Sequence, residues 1–197
     1  KYPLMIYTGA GAKGLIALTE AALKGAGKDL QGVKGVIGAD PLGELIVNGK
    51  SSTSLNALFD EMAETIKYTR EHAPLIRPVY VRSDCFTDGG ANAVQEVAYT
   101  FASAVEYIRE MQKRGISLKD IAASLYFAFN QGANFFMEIA KLRALRQVWA
   151  AIMEAFGAEE ADRSIMVHGR SSRFTKTVID PYVNMLRNCT QTFSGVV

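Results

Sequence analysis

The sequence predicts a parallel α/β architecture. Three observations carry that reading: five short apolar runs without clean alternation, longer segments of helical period between them, and about 30 to 47 residues from one strand start to the next. Strands covered on both faces read as near-continuous apolar runs, and parallel neighbours need a crossover long enough to hold a helix.

The predicted strands are Leu4-Met5-Ile6-Tyr7, Gly35-Val36-Ile37, Val79-Tyr80-Val81, Leu125-Tyr126-Phe127-Ala128-Phe129 and Ile165-Met166-Val167. Between the first two, Leu15 to Leu23 is rich in Ala and Leu. Leu55 to Tyr68 puts Leu55, Leu58, Phe59, Met62 and Ile66 on one face, after a Ser/Thr stretch able to cap it. Ala91 to Met111 does so with Val94, Val97, Ala98, Phe101, Val105 and Ile108, and Phe135 to Phe156 with Ile139, Leu142, Leu145, Trp149 and Ile152. A last helix is expected from Asp180, an acceptable N-cap, with Pro181 at the first helical position.

Right-handed crossovers between parallel strands fit either an open doubly wound sheet or part of an eight-stranded barrel. No linker or low-complexity stretch divides the 197 residues, so a single domain over 1–197 is expected. Hydrophobic residues make up 49 % and charged residues 21 %, ordinary for a globular protein. The 22 basic and 20 acidic residues are dispersed, which predicts no nucleic-acid partner. No apolar run is long enough to span a membrane, and two distant cysteines, Cys85 and Cys189, suit a reducing compartment. The absence of an initiating Met suggests a segment of a longer protein.

In parallel α/β folds chemistry gathers at the C-terminal ends of strands. Here those positions are Thr8-Gly9-Ala10-Gly11, Gly38-Ala39-Asp40, Arg82-Ser83-Asp84-Cys85, Asn130-Gln131-Gly132 and His168-Gly169-Arg170-Ser171-Ser172. Gly9, Gly11 and Gly14 have the spacing of a dinucleotide turn, with Asp40 as the acid after the next strand, though Pro41 follows it at once. Gly49-Lys50-Ser51 ends like a phosphate loop, but Gly43 is one residue too far away and Leu45-Ile46-Val47 is apolar. His168 is a candidate acid-base or hydrogen-bonding group, or a structural histidine, and His72 is a surface residue. Neither the histidines nor the cysteines have metal-ligand spacing, so no metal site is expected. Cys85 reads as a small half-buried thiol. Arg82, Arg170 and Arg173 are candidates to bind phosphate or carboxylate, while Arg143 and Arg146 on a helix face solvent or a partner.

Three segments are specific enough to carry a family resemblance. Asn134-Phe135-Phe136-Met137-Glu138-Ile139-Ala140-Lys141-Leu142-Arg143-Ala144, continuing through Arg146 and Trp149, closely resembles the helix after a barrel strand in methylmalonyl-CoA mutases. Asp180-Pro181-Tyr182-Val183-Asn184-Met185-Leu186-Arg187 resembles the family's later helix start. Gly89-Gly90-Ala91-Asn92-Ala93-Val94-Gln95-Glu96-Val97-Ala98-Tyr99-Thr100 matches a third stretch. The resemblance implies a parallel (β/α)8 TIM-type barrel, of which this chain covers about five βα units. It also implies adenosylcobalamin in the intact complex, bound by parts outside this chain. The family's Asp-x-His-x-x-Gly cobalamin motif is absent here, so no cobalamin-binding domain and no cofactor are expected within these residues.

The resemblance also implies departures at the acyl-CoA pocket. Where catalytic members carry Gln-Asn-Asp, this chain has Gly38-Ala39-Asp40. An arginine about ten residues later corresponds to Asn48, a Tyr-His pair to Asp84-Cys85, and the following glutamate to Asp88. The arginine opening the next strand corresponds to Ser124, and the later His-x-Gln-Thr-Ser-Gly reads His168-Gly169-Arg170-Ser171-Ser172-Arg173. These are degenerate pocket positions: donors are lost, while Asp84 places negative charge where an anionic acyl group would lie. The expected role is therefore the non-catalytic small subunit of a heterodimeric mutase that interconverts succinyl-CoA and methylmalonyl-CoA. Its partner would be a catalytic large subunit, in the cytoplasm or, in a eukaryote, the mitochondrial matrix. The alternatives are a catalytic mutase for another acyl-CoA, with His168, Arg170 and Asp84 as contacts, and a nucleotide-binding domain using Gly9, Gly11 and Gly14.

Overall fold

The computed structural model describes residues 3–196. Its elements alternate as the apolar pattern requires. β1 (Leu4–Tyr7) is followed by α1 (Lys13–Gly25), β2 (Gly35–Ala39), α2 (Pro41–Asn48), α3 (Leu55–His72) and β3 (Ile76–Arg82). Then come α4 (Asp84–Thr87), α5 (Ala93–Lys113), α6 (Leu118–Ser124), β4 (Leu125–Gln131), α7 (Phe135–Ala155), β5 (Val167–Ser171) and α8 (Val183–Val196), with a 3-10 turn at Glu160–Asp162. The strands form an all-parallel sheet in the order β1-β2-β3-β4-β5. A doubly wound sheet reverses its strand order at a switch point, whereas a barrel adds strands consecutively. Of the two architectures the sequence allows, the consecutive order is that of a partial barrel.

The chain packs as two compact units, Lys1–Val81 with Ser103–Tyr126, and Arg82–Ala102 with Phe127–Val197. In the first, Ile16 of α1, Ile37 and Ala39 of β2, Ile76 of β3 and Leu30 form a buried cluster, against which Leu4, Leu23 and Tyr68 pack. Two glycines of β2 are dictated by contact. Gly35 has φ +144°, and a Cβ there would lie 1.9 Å from the Leu4 carbonyl oxygen. A Cβ on Gly38 would lie 2.7 Å from Tyr80 Cβ. Gly38 pairs with Tyr7 across the ladder, so its missing side chain lets the Tyr7 and Tyr80 rings approach to 5.4 Å. Tyr80 continues onto Tyr126 at 5.8 Å. In the second unit Trp149 of α7 packs against Phe101 of α5 and Phe127 of β4, with ring centroids 5.4 and 4.7 Å away. Burying side chains of this size contributes about 1.5–3 kcal/mol each.

Caps fix most helix starts. Ser54, Ser117 and Asn134 accept from the main-chain N–H of Ala57, Asp120 and Met137, as the Ser/Thr stretch before α3 predicts. Several expectations are corrected. β5 does not cover Ile165 and Met166. It is polar, running Val167–Ser171 because its ladder to β4 pairs Phe127 with Val167 through to Gln131 with Ser171. His168 therefore lies inside a strand and not at its end. The last helix starts at Val183, not at Asp180. Asn184 accepts from Thr177 N at 3.1 Å and donates to Thr177 O at 2.7 Å, tying the preceding segment back across the helix start. The buried face of α5 is rotated from the predicted one: Val94 is exposed, while Glu96, Thr100 and Tyr107 point inward. On α7, likewise, Glu138 and Lys141 share the buried stripe with Leu142, Leu145 and Trp149. Finally α2, α4 and α6 are helices that the apolar pattern does not announce.

Candidate functional site

The C-terminal end of β3 carries the strongest charge cluster. Arg82 ends the strand, and α4 begins two residues later with Asp84, whose side chain is 1 % exposed. Arg82 Nε and Nη2 donate to Asp84 Oδ1 and Oδ2, both at 2.6 Å, in the bidentate geometry that suits guanidinium and carboxylate. Arg170, on β5, approaches Asp84 Oδ2 to 3.2 Å, and Arg173 donates to the same oxygen at 3.4 Å and to Asp88 at 3.1 Å. Burial pushes the Asp84 carboxyl up, but the three guanidiniums together outweigh it and hold the group below the usual carboxylate range. All three arginines that the sequence marks as carboxylate binders are thus engaged by a carboxylate of this chain. Cys85, half-buried, donates its thiol to the Arg82 carbonyl at 3.4 Å. His168 is held below its ordinary value, first by burial and then by Arg170.

A second, buried network lies behind this cluster. Ser83 donates to Glu96 Oε1 at 2.5 Å, and the main-chain N–H of Asn130, in β4, donates to both Ser83 Oγ and Glu96 Oε1. Lys141, 4 % exposed, donates to Glu96 Oε2 at 2.6 Å and to the Asn130 carbonyl at 2.5 Å, and pairs with Glu138 one turn away. Burial raises the Glu96 carboxyl, and Lys141 works against that rise. Asn130 Nδ2 donates to Thr87 Oγ1 at 2.5 Å. This network ties the ends of β3 and β4 to α5 and α7. The sequence marks Asn130 only as a strand-end position, and it gives no role to Glu96, Tyr107, Glu138 and Lys141. The signal was present: charged and polar residues placed at helical spacing inside an apolar stripe.

The other predicted positions have local roles. Gly38 underlies the Tyr7–Tyr80 contact. Asp40 caps α2, accepting from Gly43 N at 3.0 Å, and is 1 % exposed. It also accepts from the Tyr107 hydroxyl at 2.5 Å, while Leu42 N donates to that hydroxyl at 2.9 Å. Burial first, and the Asp40 charge second, push the Tyr107 hydroxyl well above its usual range. Asn48, exposed at the end of α2, donates to Glu44 at 2.9 Å. Ser124 is buried and donates to Asp120 O at 2.7 Å; it sits at the N-terminal end of β4, opposite Asn130 and Gln131. The structure therefore gathers Asp84, Cys85, Asp88 and Arg170 with Arg82 and Arg173, and leaves Asn48 and Ser124 at separate local contacts. The glycine-rich turn holds a carboxylate of this chain. Glu61 accepts from Lys13 N at 3.3 Å, and a Cβ on Gly11 would meet its Oε1 at 2.6 Å. Gly49 of the phosphate-loop look-alike is the left-handed C-cap of α2.

A family model described as methylmalonyl-CoA mutase matches residues 1–197. This chain belongs to the methylmalonyl-CoA mutase family. It is 38 % identical over 176 residues to a methylmalonyl-CoA mutase small subunit of Streptomyces virginiae, covering 89 % of this chain and 27 % of that one. To the methylmalonyl-CoA mutase small subunit of Porphyromonas gingivalis it is 31 % identical over 188 residues, 94 % of this chain and 30 % of the relative. A methylmalonyl-CoA mutase of Rhizobium meliloti is 36 % identical over 137 residues, 69 % of this chain and 19 % of that protein. The chain thus spans less than a third of the length of these mutase relatives. Isomerase chemistry and cobalamin belong to the mutase family as a whole. Among the described residues, neither histidine fits a cobalt ligand of the family's motif. His72 stacks on Tyr68 at the end of α3, His168 lies within β5, and neither has an Asp two residues before it.

Proposed function

We propose that this chain is the central part of a (β/α)8 barrel in the non-catalytic small subunit of an adenosylcobalamin-dependent methylmalonyl-CoA mutase. It contributes no catalytic residue and supports a catalytic large subunit in a heterodimer. The observation that carries this reading is the closure of the strand-end charges on one another. Arg82, Arg170 and Arg173, the groups able to receive an anionic acyl chain, converge on Asp84. A radical rearrangement needs a dry cavity with hydrogen-bond donors aimed at the substrate, and donors spent on an internal carboxylate cannot supply it. Two of the relatives carry the words small subunit in their names, which favours the same role. The cobalamin is held by parts outside these residues. The location is the cytoplasm, or the mitochondrial matrix in a eukaryote.

The test is turnover. The full-length protein is purified alone and with its large chain, and succinyl-CoA isomerisation is assayed with adenosylcobalamin. The expected result is activity only when the large chain is present. Clear turnover by the small chain alone overturns the proposal.

A further inference from the structure

A cavity of about 440 Å³ opens beside the buried network, and nothing in the mutase reading uses it. Its floor is polar: Asn130, Glu96 and Glu138 line it, over Gly132. Its rim is apolar and exposed, built from Val94, Met137 and Phe174. Volumes of this order are typical of small-molecule sites.

Two oxygens on the floor accept no hydrogen bond among the described residues, Asn130 Oδ1, which is buried, and Glu138 Oε1, which opens to the cavity. Asn130 is 2 % exposed, yet its Oδ1 has no partner. Thr87 Oγ1 donates to the Ser83 carbonyl at 3.4 Å and accepts from Asn130 Nδ2, which leaves Asn130 Oδ1 over. Glu138 Oε2 faces Lys141, whereas Oε1 points over Gly132, 3.0 Å from where a Cβ would stand. Lys141 serves neither atom: it donates to Glu96 and the Asn130 carbonyl, and its ion pair with Glu138 runs through Oε2. A buried acceptor left without a donor costs free energy that a bound donor would recover. The formal charge of Glu96, Glu138 and Lys141 is one negative unit, so the donor wanted is cationic. The exposed apolar rim calls for an apolar body behind it.

We propose that this cavity binds a small primary amine: its ammonium group bridges Asn130 Oδ1 and Glu138 Oε1, and its short apolar chain lies against Val94, Met137 and Phe174. The site stands independently of the small-subunit reading, since it uses none of the residues that pair with Asp84.

Full-length protein carrying ¹³C-methyl methionine is titrated with n-butylammonium chloride, with n-butanol and butyrate as matched neutral and anionic probes. Binding is read from the Met137 methyl shift and by calorimetry. The expected result is a saturable Met137 shift with butylammonium alone. Glu138→Gln should weaken it at least about tenfold, the scale of one charge-assisted hydrogen bond. Gly132→Ala, whose Cβ would crowd Glu138 Oε1, should also weaken it. No saturable Met137 shift by about 50 mM amine, far above the range of specific small-ligand sites, overturns the proposal. So does equal binding of butanol, or undiminished binding in a folded Glu138→Gln protein. If Glu138→Gln fails to fold, the wild-type comparison of the three probes still decides.

Discussion

Asp84→Asn tests whether the arginine cluster is a structural unit. The substitution keeps the volume and removes the charge. The Asp84 side chain is 1 % exposed and Arg82 is 12 % exposed, so their pair counts as buried. Removing one partner of a buried ion pair costs about 3–5 kcal/mol, because the other charge stays behind without compensation. Arg170 and Arg173 are 29 % and 65 % exposed, and water screens them, so each adds about 0–1 kcal/mol. The expected loss is therefore about 3–7 kcal/mol, with the bidentate Arg82 contact carrying most of it. Urea unfolding of full-length wild type and variant measures it directly, read by tryptophan fluorescence, to which Trp149 in the adjoining core contributes. A loss under about 1 kcal/mol would refute the reasoning, since it would mean that Arg82 meets water freely and the cluster is a surface feature. The pH dependence gives a second check on the same group. A carboxyl held below its unfolded value adds stability that is full above the unfolded pKa and is lost as pH falls through the folded one. In wild type that loss lies below about pH 4, so the stability advantage of wild type over Asp84→Asn should shrink there.

Lys141→Met should destabilise by about 3–5 kcal/mol, because it leaves Glu96 and Glu138 in the network without their cation. Adding Glu96→Gln should recover part of that loss in the same urea titration. Tyr107→Phe strips Asp40 of a donor and the Leu42 N–H of an acceptor, and should cost about 1–3 kcal/mol with the fold retained by circular dichroism. Gly38→Val forces Tyr80 aside and should give little folded protein on expression, whereas Gly14→Ala, which meets nothing within 4 Å, should behave as wild type. His168 has a folded pKa below its unfolded value, so its share of stability is present above about pH 6.5 and falls as pH drops toward the folded value. His168→Gln should flatten the stability profile between about pH 5 and 7.

The alternation of strands and helices was legible because it rests on burial, and burial leaves an apolar pattern. β1 through β4 and the long helices follow from it. β5 was misplaced because its identity comes from the ladder to β4, while its residues Val-His-Gly-Arg-Ser give no apolar run. The two Asp-Pro pairs show how a local rule depends on context. Asp40-Pro41 starts α2 with the acid as cap and Pro at the first position, as the rule requires. Asp180-Pro181 looks the same in sequence, yet Asn184 holds Thr177 across the turn and the helix begins three residues after Asp180. At the site, the arginines were legible as carboxylate binders from chemistry alone. That the carboxylate would be Asp84 depends on bringing residues 82, 170 and 173 together, and no local pattern encodes that distance.

The two charge systems at the end of β3 divide the work of that strand end. Glu96, Lys141 and Ser83 bind main-chain groups of β4, so they hold the strands in register whatever lies at the sheet's end. Among the described residues the Asp84 carboxylate meets arginine side chains only, so its role is to neutralise three cations gathered in one place. A site that receives an anion from solution must leave such cations exposed and unpaired, and pays in self-repulsion until the anion arrives. Here the repulsion is settled within the chain. A mutant that frees the arginines, Asp84→Ala, should therefore be unstable in chloride and regain stability in formate or acetate, whose carboxylate can enter the space left. Melting temperature against formate concentration measures this, with saturation expected as for any ligand that binds the folded state alone. No gain in formate over chloride at equal ionic strength would mean that the three arginines do not form one anion-shaped pocket.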